Sequence, residues 1–227
     1  MTANSEQTLN IISLDGAAAT GKSSTAHAVA EALNYLHVDT GSHYRIICYH
    51  LNQKSLQPED SPALLTALEA FKVNTVLRGN SVLFEIDKTP IKSDDLRSYT
   101  VNALVSQFAS LKPVRDFLLR YQRSLADFAK KNHFKGMIAE GRDIGSVVFP
   151  KATLKVFLEA DANTRIARRE NEGHTDVINE RDAIDANRKL SPLICPEDAL
   201  SINTSRLSLD EVVSIILKEI TKRDESK

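Results

Sequence analysis

Eight residues near the start of the chain constrain its fold more than any other feature. Gly16-Ala17-Ala18-Ala19-Thr20-Gly21-Lys22-Ser23 matches G-x-x-x-x-G-K-[ST], with Ser24 following in the next helical turn. Residues 9–14 before it form a short apolar run, and an alanine-rich helical pattern follows to about residue 33. The small residues allow successive backbone N–H groups to face an anion, and the helix N-terminus adds partial positive charge. Lys22 is placed to reach β- and γ-phosphates, and the Ser23 hydroxyl to ligate Mg²⁺. A small-residue turn with a surface lysine is the bland alternative, and the strand–loop–helix context argues against it.

Such a unit belongs in an open α/β sheet, and the rest of the chain fits one. Further strands are expected at 35–38, 137–140, 153–158 and 199–202, making five parallel strands with helices on both faces. A helix over about 42–51 follows the second strand. Phe71, Val73, Thr75 and Leu77 alternate with other residues, as do Val82, Phe84 and Ile86 beyond Gly79-Asn80. Alternation implies one solvated face, so this pair reads as a small antiparallel insertion. Helices are expected over 96–110 and, with Pro113 in its first turn, 114–130. Ser208 and Glu211 form a capping box ahead of the apolar stripe Leu209, Val212, Val213, Ile216, Leu217 and Ile220.

Composition removes several classes of function. The 227 residues carry a net charge of −1, too little for a global field toward nucleic acid or anionic membrane. Cys48 and Cys195 fit no metal spacing and no disulfide framework. The polar N-terminus shows no signal core, and no apolar run reaches bilayer length. A cytoplasmic protein is expected. GTPases are disfavoured too, because no base-reading N-K-x-D is present and no apolar strand ends in D-x-x-G.

Three constellations could bind a second ligand. Asp39-Thr40-Gly41-Ser42-His43-Tyr44-Arg45 leaves the second strand at its C-terminal end, where open parallel sheets bind ligands. Thr40 or Ser42 could equally be a plain helix cap, and Arg45 a solvated residue. Glu140-Gly141-Arg142-Asp143-Ile144-Gly145 leaves the third core strand at the same edge. A guanidinium beside a carboxylate suits phosphate or base-edge reading, or a self-satisfied ion pair. Arg181, Asp185 and Arg188 share one face of an expected helix, as phosphate partners or as a surface ladder. Arg165, Arg168 and Arg169 cluster on the preceding helix, either to close on a triphosphate or as a solvated basic face.

The order of these pieces makes the sequence resemble the bacterial cytidylate kinase family over almost its whole length. The resemblance rests on Leu14-Asp15-Gly16; Asp39-Thr40-Gly41 with Tyr44-Arg45; Val105-Ser106-Gln107; Pro113-Val114-Arg115; and Gln122-Arg123. It continues through Glu140 to Gly145, Val147-Val148-Phe149-Pro150, Arg181-Asp182, Asp185, Asn187-Arg188 and Ser191-Pro192-Leu193. It implies a P-loop NTPase three-layer α/β fold in one domain, residues 1–227. The parallel five-stranded core sheet would carry an acceptor-binding insertion at about 64–112 and a short helical lid at about 165–188.

The reaction implied is ATP-dependent phosphorylation of CMP or dCMP with Mg²⁺, by a monomer without nucleic-acid or membrane partners. ATP would be held by Gly16, Ala17, Ala18, Ala19, Thr20, Gly21, Lys22, Ser23 and Ser24, with Arg165 and Arg169. Ser106, Arg115 and Asp143 would read cytosine. Thr40, Tyr44, Arg45, Arg142 and Arg188 would surround the acceptor phosphate, and Arg181 with Asp185 the sugar. Phosphoryl transfer needs alignment and charge neutralisation, so Lys22, Arg142 and Arg188 are the expected catalytic groups.

The chain departs from the family's usual pattern at Ala17 and Ala19, where Pro and Gly are usual. If position 19 needs φ > 0, its Cβ costs about 1–2 kcal/mol. The segment between Arg169 and Arg181 is shorter than in many relatives, and Asn203 replaces an aspartate. Two other readings remain: a P-loop kinase acting on UMP, AMP or a small hydroxy acid, and a nucleotide-binding regulator without turnover.

Overall fold

The computed structural model describes residues 9–171 and 178–225, with the side chains of 178–181 and 224 outside that description. The elements run β1 (Asn10–Gly16), α1 (Lys22–Leu33), β2 (Tyr35–Asp39), α2 (Thr40–Gln53), α3 (Pro62–Ala70), β3 (Val73–Arg78) and β4 (Ser81–Ile86). They continue with α4 (Ser93–Leu96), α5 (Tyr99–Ser110), α6 (Lys112–Lys131), β5 (Gly136–Gly141) and a π-helical turn (Ile144–Val148). The chain then forms β6 (Leu154–Glu159), α7 (Ala162–Asn171), α8 (Ile178–Asn187), β7 (Leu200–Asn203) and α9 (Leu209–Glu225).

One sheet has the order β3-β4-β2-β5-β1-β6-β7. The five expected parallel strands are its β2-β5-β1-β6-β7 portion. The sheet counts seven because the antiparallel β3–β4 hairpin docks on the β2 edge through the pair His37–Ser81. Apolar residues on the two faces of the core strands pack in opposite directions. Ile12, Leu14, Ile138 and Val156 meet α1 and α9 through Val29, Val212 and Ile216. Leu36, Val38, Met137 and Ala139 meet α6 through Leu125 and Ala129. A third cluster joins α2, α3, α5, α6 and β4 around Ile47, Leu64, Phe84, Phe108 and Leu118.

Local chemistry explains most boundaries. Ser208 and Glu211 close the expected capping box, with Ser208 N–H donating to Glu211 Oε2 at 2.8 Å and Glu211 N–H to Ser208 Oγ at 3.3 Å. The helix expected over 96–110 is divided, because Ser98 accepts from Val101 N–H and starts α5 anew. α3, absent from the sequence expectations, is capped by Ser61 and opened by Pro62. The π-helical turn was also unexpected. There Val147 and Val148 both donate to Asp143 O, at 2.9 and 3.1 Å.

Register places three strand ends together. Asp39 at the end of β2 lies opposite Glu140 of β5, and Asp15 of β1 lies opposite Gly141. The chain reversals after β1, β2 and β5 therefore open on one edge of the sheet, which is the usual ligand-binding position.

Candidate active site

The donor loop leaves β1 at Gly16, whose φ is +150°. A Cβ there would stand 2.2 Å from Leu158 O of β6, so only glycine lets the loop turn this close to the neighbouring strand. Ala19 adopts φ 58°, the left-handed conformation in which a Cβ costs about 1–2 kcal/mol. The condition attached to the Ala19 departure is therefore met. Gly21 caps α1 at φ 91°. Thr204 Oγ lies 3.0 Å from Thr20 O, and Arg168 bridges Thr204 O at 2.8 Å and Ala19 O at 3.4 Å. Arg165 donates to Ala18 O at 3.3 Å. Arg168, which the ATP-site expectation passed over in favour of Arg165 and Arg169, thus shares contact with the loop.

Lys22 is buried and folds back, donating to Ala17 O at 2.5 Å. Burial first, then the nearby charge of Arg142, pushes its amine down to about 7. Ser23 Oγ donates to Glu140 Oε2 at 2.8 Å, and Glu140 Oε1 pairs with His37 Nε2 at 3.1 Å. Glu140 lay within a quoted motif but had no expected role. Its neighbour Ser23 makes it a residue of the donor site. The Ser23 hydroxyl at the end of the loop and the Glu140 carboxylate on β5 form a hard-oxygen donor set that suits Mg²⁺.

Facing the loop is a cavity of about 80 Å³ lined by Thr40, Gly41, Tyr44, Arg45, Val105, Ser106, Ala109, Gly141, Arg142, Asp143, Asp185 and Arg188. Eight of the ten residues expected around the acceptor line it. Arg115 sits behind them, its guanidinium 5.5 Å from the Tyr44 ring centroid. Arg181, expected at the sugar, has its side chain outside the described residues.

The geometry shows which partners the described residues of this set take. Asp39, not Thr40 or Ser42, caps α2 by accepting from Ser42 N–H at 3.1 Å. Thr40 Oγ instead donates to Glu140 O at 2.7 Å and ties α2 to β5. Arg45 donates to Leu96 O and Asn102 Oδ1, both at 2.8 Å. Arg142 and Asp143 do not pair with each other. Arg142 Nε donates to Asp185 at 3.1 Å, while Asp143 is buried between Arg115 and Arg188. Asp185 also lies 3.5 Å from Arg188, closing a network of five charges around the cavity. Burial drives the Tyr44 phenol up to about 12, so it remains a hydrogen-bond donor.

Two residues outside the expected set hold this network. Ser191, at φ 52°, accepts Arg115 Nε on its hydroxyl at 3.1 Å and Arg188 Nε on its carbonyl at 2.5 Å. Asp15 accepts Ile144 N–H at 2.8 Å and Gly145 N–H at 2.7 Å, anchoring the turn that follows Asp143. Burial raises the Asp15 carboxyl to about 6 against the pull of those two amides. Both residues fell in quoted motifs, but their roles depend on contacts across the sheet that spacing does not reveal.

A second cavity, of about 330 Å³, adjoins the donor loop and is lined by Ala17, Thr20, Phe157, Leu158, Glu159, Ala160, Asp161, Arg165 and Asn203. Asn203 accepts Ser205 N–H at 2.9 Å, which gives this departure a local turn-forming contact. The shortened segment between Arg169 and Arg181 covers residues 172–177, which lie outside the described residues.

Comparison with known proteins agrees with this geometry. The family model described as cytidylate kinase matches residues 12–222. A cytidylate kinase from Fusobacterium nucleatum subsp. nucleatum is 35% identical over 223 residues, covering 93% of this chain and 97% of the relative. One from Thermotoga neapolitana is 37% identical over 225 residues, with the same two coverages, 93% and 97%. An uncharacterized protein from Eubacterium ventriosum is similar in fold alone, at a TM-score of 0.50 and 15% identity over 93% of this chain and 98% of that one. A match of this extent, at these identities and along nearly the whole length of both relatives, shows that the chain belongs to the cytidylate kinase family.

Proposed function

We propose that the chain transfers the γ-phosphoryl group of ATP to CMP or dCMP, giving ADP and CDP or dCDP. The observation that carries this reading is one cavity lined by Arg45, Arg142, Arg188 and Asp143, with Arg142 close enough to Lys22 to depress its pKa. An acceptor phosphate bound by the arginines would thus lie beside the phosphates of a donor held on Gly16–Ser23.

Residues 16–24 and Arg165 hold the triphosphate, joined by Arg168 and Arg169 from the same helix, and the 330 Å³ cavity takes the donor nucleoside. Ser23, backed by Glu140, would hold Mg²⁺, which supplies charge neutralisation at the β- and γ-oxygens. Lys22, once its contact to Ala17 O is exchanged for a phosphate, stabilises charge on the transferring group. Arg142 and Arg188 do the same from the acceptor side. Thr40, Tyr44 and Arg45 complete the acceptor phosphate site, with Arg181 and Asp185 at the sugar.

Cytosine presents an amino donor next to acceptors. Asp143 accepts from the first, and Arg115 with Ser106 serves the others. Uracil reverses part of that pattern and leaves Asp143 facing an acceptor. The cavity of about 80 Å³ is small against the roughly 300–1,000 Å³ of ordinary ligand pockets, so the acceptor enters by opening it. Residues 64–112 form the acceptor-binding insertion of the single domain, and 165–188 the lid. The protein works as a cytoplasmic monomer, a state that light scattering checks; among the described residues no helix is long and apolar enough to cross a membrane.

The decisive experiment couples ADP release to acceptor identity, using CMP, dCMP, UMP, AMP and shikimate. CMP or dCMP should give the highest kcat/KM. A preference for UMP, AMP or shikimate would reassign the substrate, and nucleotide binding without CDP formation would point to a regulator.

A further inference from the structure

Resting on the reading of Gly16–Ser23 as the ATP site, we propose that Asp182 is an internal anion of that site. It occupies the loop while no nucleotide is bound, and the phosphates of ATP must displace it. In the structure Asp182 Oδ1 accepts the Ala18 N–H at 3.0 Å, and Oδ2 forms an ion pair with Arg165. The Ala18 amide belongs to the row of N–H groups that such loops direct at phosphate. Arg165, which also reaches Ala18 O at 3.3 Å, is one of the cations available to a triphosphate. A carboxylate that takes both a loop amide and a loop arginine satisfies the same partners that phosphate oxygens would take. Its charge also helps to hold a proton on the buried Lys22, as an anionic ligand would.

The position of Asp182 gives the exchange a second consequence. On α8, Asp182 and Asp185 are three residues apart, and Arg188 follows three further on, so the three share one side of the segment. Asp182 touches the donor loop, whereas Asp185 and Arg188 belong to the acceptor network through Arg142 and Asp143. Displacing Asp182 therefore acts on the segment that holds the acceptor arginines. Asp182 thus sets two quantities: ATP affinity and its coupling to acceptor affinity.

The test is calorimetric titration of ADP and of pyrophosphate into the full chain, with and without CMP, for the unmodified protein and for Asp182→Ala and Asp182→Asn. Losing an internal competitor should tighten both ligands, by roughly tenfold in Asp182→Ala, the worth of one charge-assisted hydrogen bond. Asp182→Asn retains an acceptor for Ala18 N–H without the charge and should tighten them less. In turnover, KM for ATP should fall in step with the tighter ADP binding, a shift that loosening of the fold would not give. The effect of ADP on CMP affinity should shrink in both variants. Unchanged or weaker ADP binding in variants that bind CMP normally would overturn the proposal and make Asp182 a support for Arg165. If Asp182→Ala does not fold, the same outcomes are read from Asp182→Asn. An unmodified protein that binds CMP but neither ADP nor pyrophosphate would refute the donor site itself, and this inference with it.

Discussion

The donor loop and the acceptor cavity are built from different materials. The loop uses backbone amides, a helix terminus and one lysine, and that lysine is buried against a carbonyl with its amine lowered to about 7. The cavity uses arginines from four separate segments, and three of them already rest on carboxylates: Arg115 and Arg188 on Asp143, Arg142 on Asp185. Cations in the cavity are thus paired with their own carboxylates before any ligand arrives, while the loop's lysine rests on a neutral carbonyl. A site made of side chains can be pre-paired, because each arginine has several donors to divide between an internal partner and a ligand.

The contrast breaks most sharply at Lys22. Lys22→Ala should lower kcat about a hundred- to a thousandfold, the range for losing a charge-stabilising donor, with thermal unfolding unchanged or raised. Rates near those of the unmodified protein would remove it from the catalytic set. Asp143→Ala should instead damage the structure, because Arg115 and Arg188 lose a buried partner. Unpairing buried charges costs about 3–5 kcal/mol, and the preference for CMP over UMP should erode in the same variant. Denaturant melts alongside kinetics for both pyrimidines measure the two effects.

Proton linkage sharpens the comparison further. If Lys22 is largely neutral above pH 7 when free and protonated when facing phosphate, ADP binding at pH 8 should take up protons. Titration in two buffers of different ionisation enthalpy reads the uptake, which should vanish in Lys22→Met.

A smaller effect lies at His43 on α2. It is buried between Phe84 and Tyr121, neither ring nitrogen has a hydrogen-bond partner among the described residues, and burial lowers its pKa to about 4 against the pull of Asp39. The folded pKa lies below the unfolded value, so the stability involved is full above pH 6.5 and is lost as pH falls toward 4. His43→Phe should remove about 2–3 kcal/mol of that decline, read as the difference between the two proteins' stabilities at pH 7 and pH 4.5. Smallest of all, Ala19→Gly relieves the left-handed backbone at the cost of a more flexible unfolded chain. A net gain of up to about 1 kcal/mol in thermal unfolding is expected.

The same division governs what could be read from sequence. The loop is a contiguous motif with a local cause, so its residues and flanking elements were legible directly. The five parallel strands were legible from short apolar runs. The acceptor residues come from α2, α5, α6, the β5 exit and α8; three constellations were legible from the sheet edge and helix spacing, and only the ordered resemblance added Ser106 and Arg115 to them. Asp15 and Ser191 could not be given roles, because each acts through a contact with a distant segment. The π-helical turn has no propensity signal of its own and depends on the bonds that Asp15 and Asp143 supply. α3 was different: Ser61-Pro62 is a readable helix start that the strand pattern after it overshadowed.

The reach of Asp15 has a mechanical consequence. β1 ends in the donor loop, and its last carboxylate grips the first two amides of the turn that follows Asp143 at the exit of adjacent β5. Neighbouring strands are separated by about 4.8 Å, a spacing fixed by backbone hydrogen bonds along their length. The gap between the donor loop and the turn after β5 is therefore gauged by the sheet itself. Any opening of the cavity changes its walls and leaves that spacing as a constant of the fold.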